Sequence, residues 1–153
     1  MSVAFRRESD EEHKEPRFEL PIPTGPNLVT PDGLAQTEAR VAELEAATSE
    51  ERDEARLAEM QRDLRYWRTR LATAQLMPPP PEGEVGFGSR VRFRLKGELR
   101  LIDIVGDDEA DPANGQISFS APLARALMGA YPGDHLDFAG QADAIEIIET
   151  SPK

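Results

Sequence analysis

Carboxylates are the groups in this chain whose type and crowding could do chemistry, and they gather in two places. The first is the run Ala46–Glu54, which carries Glu50, Glu51, Asp53 and Glu54. Acids gathered at the start of a helix complement its dipole. The second is the segment GDDEADPANGQ, with Asp107, Asp108, Glu109 and Asp111. Opposed to them is a basic stretch, Arg56, Arg62, Arg65, Arg68 and Arg70, set among few acids. At 100° per residue Arg62 and Arg65 lie opposite the apolar seam of their helix, facing solvent or a polyanion. There is no cysteine, and the two histidines, His13 and His135, are far apart, so no metal centre is expected. A nucleophile paired with a base and a phosphate-binding loop are both missing, so the chain is not expected to be an enzyme, or to carry a cofactor, in its own right.

Composition narrows the partners. The 153 residues carry a formal net charge of −11, and no segment is a basic module. Duplex nucleic acid is held through clustered positive charge, so a direct duplex hold is not expected and a protein partner fits better. No apolar run reaches the length of a membrane span, and MSVAFRRESDEEHKEP lacks a signal-peptide core, so the cytoplasm is the expected compartment.

Four segments are expected to position these groups. Residues 1–29 read as an extended arm: they are charged and proline-rich, with Phe5, Phe18, Leu20 and Ile22 as scattered apolar exceptions. Residues 30–77 read as an antiparallel helical hairpin, a short coiled coil. Thr30 is an N-cap and Pro31 a first helical residue, with Leu34, Thr37, Val41 and Leu44 on one face. Thr48-Ser49-Glu50-Glu51 has the capping-box pattern for a second helix, whose seam is Leu57, Met60, Leu64, Trp67, Leu71 and Ala74. Folding about residue 50 sets Leu44 against Leu57 and Val41 against Met60. Residues 78–88, four prolines and then three glycines, read as a linker. Residues 89–150 read as a small α+β domain. Its strands are RVRFRL with Val91, Phe93 and Leu95 inward, then 98–106, 117–119, 135–138 and 144–148, with a short helix from Pro122.

One stretch is far more specific than these patterns. Ile104-Val105-Gly106, Asp108-Glu109-Ala110-Asp111, Gly115-Gln116-Ile117-Ser118, Ala121-Pro122-Leu123-Ala124-Arg125-Ala126-Leu127 and Gly133-Asp134 follow one another in order. Together they closely resemble the C-terminal domain of the bacterial GreA/GreB transcript-cleavage factors. Phe87-Gly88-Ser89 and Leu28-Val29-Thr30-Pro31-Asp32-Gly33 extend the resemblance to about residues 28–149.

The resemblance implies an FKBP-like C-terminal domain that docks, as a monomer, on the rim of the RNA polymerase secondary channel, with the hairpin directed toward the catalytic centre. It assigns docking to Asp107, Asp108, Glu109, Asp111, Ser120, Ala121, Pro122 and Leu123, and a nascent-RNA contact to Arg62 and Arg65. Two departures qualify it. The family's usual Asp-Ser-Pro is here Ser120-Ala121-Pro122, and the tip pattern Gly-Asp-Leu-x-Glu-Asn-Ala-Glu-Tyr is missing. In the longer Gre factors the tip carboxylates help hold a second magnesium ion in the polymerase active site. The resemblance thus implies a channel-binding elongation regulator without efficient cleavage stimulation. The alternatives are a cleavage factor using Glu50, Glu51, Asp53 or Glu54 near the polymerase magnesium, a peptidyl-prolyl isomerase suggested by fold alone, and a plain coiled-coil adaptor.

Overall fold

A computed structural model describes residues 19–153. Phe5, His13 and Phe18 lie outside the described residues. The elements are β1 (Leu28–Val29), α1 (Pro31–Glu50), α2 (Glu54–Thr73), β2 (Gln75–Leu76), β3 (Ser89–Leu95) and β4 (Glu98–Val105). A 3₁₀ turn (Pro112–Asn114), β5 (Gln116–Ser118), α3 (Pro122–Leu127), β6 (His135–Phe138) and β7 (Gln141–Pro152) follow. The α+β class expected from the sequence is the class observed. The chain divides into a hairpin unit, Gln36–Thr73 with the segment up to Gly25, and a sheet unit, Pro26–Ala35 with Ala74–Lys153.

Both helices are 20 residues long, about 30 Å each at 1.5 Å per residue, and α1 from Gln36 onward belongs to the hairpin unit with α2. Val41, Leu44 and Leu64 are buried, with Trp67 and Leu71 packed against them, and Thr37 is buried too. The expected capping box does not form. α1 runs through Thr48 to Glu50, and the Thr48 and Ser49 hydroxyls donate back to the Glu45 and Ala46 carbonyls at 3.1 and 2.8 Å. Hydroxyls satisfied within the helix they end cannot cap the next one. Asp53 caps α2 instead, its Oδ2 accepting the Arg56 amide at 2.9 Å. The turn therefore lies at 51–53, later than expected, and the seam shifts with it. Leu57 and Met60 are only half-buried, and Leu64 takes the central place.

In the sheet unit five strands stand in the order β5-β4-β3-β7-β6, antiparallel except for β4 with β5. Strict alternation in β3 turns Val91 and Phe93 to the core, where they meet Ile102, Ile104, Ile145, Ile147, Ala124 and Leu127. The opposite face carries cross-strand ion pairs. Arg90 holds Asp103 through two bonds of 2.8 and 3.1 Å, and Arg92 reaches Glu149 at 3.1 Å. The Arg92–Glu149 pair joins exposed groups and fixes register more than it stabilises, whereas the Asp103 carboxylate is largely buried beneath Arg90.

The expected boundaries need correction at three points. Residues 26–29 are not part of a free arm, nor 74–77 of the hairpin: Asn27 and Val29 are buried, α2 ends at Thr73, and β1 pairs in parallel with β2. The stretch 84–88 is not merely a linker, since Val85 is a core residue bonded through its backbone to Gly129 and Ala130. The last strand runs from 141 to 152, well beyond 144–148, because β3 continues to pair with it out to Pro152. Backbone pairing decides all three, and it leaves little trace in side-chain type.

Candidate functional site

The acidic loop begins where β4 ends. Gly106 is buried, and a Cβ there would collide with the Leu28 carbonyl oxygen, so only glycine lets β1 lie against this strand end. The chain then turns, the Ala110 amide donating to the Gly106 carbonyl at 3.1 Å.

The four loop acids have different fates. Asp107 Oδ1 accepts the Ser118 hydroxyl at 2.6 Å and the Ser120 hydroxyl at 3.0 Å, tying the loop to the approach to α3. Asp108 is half-buried. Asp111 is exposed, its Oδ2 accepting the Asn114 amide at 2.6 Å beside the 3₁₀ turn. The resemblance assigns Glu109 to the partner-facing acids, but its side chain is only 2 % exposed. Its Oε1 accepts the Thr30 hydroxyl at 2.6 Å, and its Oε2 lies 3.4 Å from Lys153 Nζ.

Glu109 thereby joins the loop to the start of α1. Thr30 is the expected N-cap: its Oγ1 accepts the Gly33 amide at 3.0 Å while its proton goes to Glu109. Gly33 leaves room for that carboxylate, since a Cβ there would stand 2.8 Å from Glu109 Oε1. Lys153 Nζ donates to Asp32 Oδ2 at 2.8 Å, closing the cluster. Sequence reading missed this arrangement; a glycine in the first turn of a helix was its one local sign.

The Asp32 hydrogen bond, opposed by burial and assisted by Glu109, holds the Lys153 ammonium above the usual lysine value of 10.5. A raised folded value stabilises below the unfolded value and loses that contribution as pH rises through the folded one. Urea resistance is therefore expected to fall above about pH 10.5. Lys153→Met should remove part of that fall. Tyr131, raised chiefly by its hydrogen bond to Glu84, titrates in the same direction, so the comparison is best made in a Tyr131→Phe background.

At α3, Pro122 is the exposed first residue, and Leu123 is half-buried against the core. Ala121 occupies the N-cap position and supplies no side-chain bond. A serine in that place would add an acceptor for the helix amides. Ser120 is exposed, its amide accepted by Ser118 Oγ at 3.1 Å. The structure thus brings Asp107, Ser118 and Ser120 together beside Pro122 and turns Glu109 away.

At the hairpin tip, Glu51 Oε2 accepts the Asp53 amide at 3.0 Å and Asp53 accepts the Arg56 amide, so both acids build the turn. Glu50 and Glu54 are exposed. Among the described residues no three acidic or histidine side chains converge to hold a metal ion. On α2, Arg65 Nε and Nη2 grip both oxygens of Glu19 at 2.8 Å each, and Arg62 lies 3.7 Å from Asp63. No helix among the described residues is long and apolar enough to cross a membrane.

The family description "Transcription elongation factor, GreA/GreB, C-term" matches residues 80–151. Transcription elongation factor GreB of Pseudomonas aeruginosa is 34% identical over 137 residues, covering 74% of this chain and 82% of that protein. The chain belongs to the GreA/GreB family. GreB of Yersinia pestis is 40% identical over 84 residues, 53% of this chain and 49% of that protein. GreA of Ralstonia nicotianae is 42% identical over 71 residues, 43% of this chain and 45% of that protein. The chain thus spans about half the length of these two relatives. Among solved structures it is similar to a prokaryotic transcription elongation factor GreA/GreB from Nitrosomonas europaea. That match has a TM-score of 0.40 and 22% identity, over 84% of this chain and 99% of the other.

Proposed function

We propose that this GreA/GreB-family chain is a transcription elongation regulator that binds bacterial RNA polymerase at the secondary-channel rim. Its sheet unit docks there, and its hairpin enters the channel without supplying an effective catalytic acid. One observation carries the docking half: the Asp107–Ser120 bond of 3.0 Å keeps the acidic loop beside Pro122. Exposed Asp111 and half-buried Asp108 then offer negative charge to a basic rim, while Pro122 presents a rigid apolar knob. Glu109 is a positioning residue for this loop, not a contact.

The regulatory half rests on the tip. Metal and proton chemistry demand contact geometry, and two of the four tip acids are committed to capping the turn. The protein has no catalysis of its own in this role; any RNA cleavage belongs to the polymerase and its magnesium. A contact between Arg62 or Arg65 and nascent RNA is part of the same proposal.

The test is RNA cleavage by backtracked polymerase with this protein titrated in. A positioned carboxylate is worth roughly 10²–10⁴-fold, whereas the expected acceleration is below about twofold, with slower cleavage when a longer Gre factor is also present. Glu50→Gln/Glu54→Gln, which spares the caps, should change nothing. Strong acceleration that this double variant abolishes would make the chain a short-armed cleavage factor instead.

A further inference from the structure

The hairpin unit contains a contact that the proposed role does not use. Glu19 lies in the segment preceding β1, yet its carboxylate sits on α2, gripped by Arg65 through Nε and Nη2 at 2.8 Å each. This two-point fork is the geometry in which a guanidinium takes two oxygens of a phosphate. Arg62 is close enough to act on the same carboxylate: the Glu19 pKa is held below the usual range, first by the Arg65 hydrogen bond and further by the Arg65 and Arg62 charges. The Nε of Arg62 is buried and has no hydrogen-bond partner among the described residues. Its ion pair with Asp63 is a loose 3.7 Å. Arg62 thus adds positive charge beside a site that an internal acid already fills.

We infer that Glu19 is a built-in cover for the Arg62/Arg65 patch, occupying the place of an RNA phosphate and leaving when single-stranded RNA arrives. The inference rests on the proposal that this patch meets nascent RNA. Arg65 is exposed and Arg62 half-buried beside it, so an acid laid on the pair screens the attraction they would exert on a polyanion. Both partners are about half-exposed, with side chains 53% and 57% accessible. The cover is therefore a weak, salt-sensitive contact that a phosphate can displace.

Binding of a short fluorescent single-stranded RNA to the full chain, followed by anisotropy across a salt series, tests it. Glu19→Gln is expected to bind about three- to fivefold more tightly at low salt, with the gap closing as salt rises. Glu38→Gln, which changes net charge equally at an exposed position of the hairpin, should stay near wild type. Equal gains in both variants would reduce the effect to net charge and overturn the cover. Arg62→Gln/Arg65→Gln separates the two layers. If it weakens RNA binding while Glu19→Gln changes nothing, the patch stands and the cover falls. If it leaves RNA binding intact, there is no patch to cover and both ideas fall together.

Discussion

Gly106→Ala is expected to destabilise the sheet unit by about 3 kcal/mol, at the upper end of overpacking costs. Gly106 is not among the glycines with positive φ, so its backbone conformation is open to any residue. The constraint is a neighbour: a methyl group would collide with the Leu28 carbonyl oxygen, a backbone atom that no side-chain rotation can move aside. Relief requires β1 to withdraw. That would break the bonds from the Gln75 amide to the Asn27 carbonyl and from the Met77 amide to the Val29 carbonyl, 2.8 and 3.1 Å long. It would also expose Asn27 and Val29, which are buried. The check is the urea midpoint together with hydrogen exchange at the Gln75 and Met77 amides. A clear loss at both readouts is expected. An unchanged midpoint with both amides still protected would mean that β1 yields at no cost.

That contact also marks where sequence reading runs out. Elements with a strong side-chain period were legible: Val91 and Phe93 alternate inward on β3, and Thr30-Pro31 opens α1 as an N-cap and first residue should. The boundaries that failed were those set by backbone pairing across long separations, such as β1 with β2 or Lys153 with Gly88. The hairpin turn failed for a different reason. Two residues could each cap α2, Thr48 and Asp53, and propensity alone does not choose between them. Thr48 can satisfy its hydroxyl within α1, whereas Asp53 carries no proton to donate and finds its partner only in the next helix.

The candidate site was legible as a motif and opaque as a set of roles. Asp107, Asp108, Glu109 and Asp111 are chemically alike in sequence, yet one binds two hydroxyls, one is buried and one is exposed beside a turn. What separates them is the direction of each side chain around a tight turn. The groups that receive Glu109 lie about eighty residues upstream and forty downstream, and no local pattern points to them. Arg65 shows the same limit: helical spacing placed it away from the apolar seam, and it could not show that Glu19 would be there to meet it.

Glu109→Ala is expected to cost the sheet unit about 3 kcal/mol, and Glu109→Gln about half of that. The alanine variant strips the Thr30 hydroxyl of a charged acceptor 2.6 Å away and leaves a gap beside Gly33. Lys153 would not be stranded, because Asp32 still holds it at 2.8 Å, and this keeps the loss below that of a fully orphaned buried charge. Glutamine preserves an acceptor for Thr30 and the packing, but it turns an amide NH2 toward the Lys153 ammonium where the carboxylate oxygen stood. The functional consequence follows from position. Glu109 anchors the middle of the loop whose outer acids are proposed to meet the polymerase, so its removal should weaken polymerase binding although the side chain is buried. Asp111→Ala should instead weaken binding with the urea midpoint almost unchanged. If both variants weakened binding without loss of stability, Glu109 would have to turn outward in the complex. If neither did, the loop would not be the docking surface.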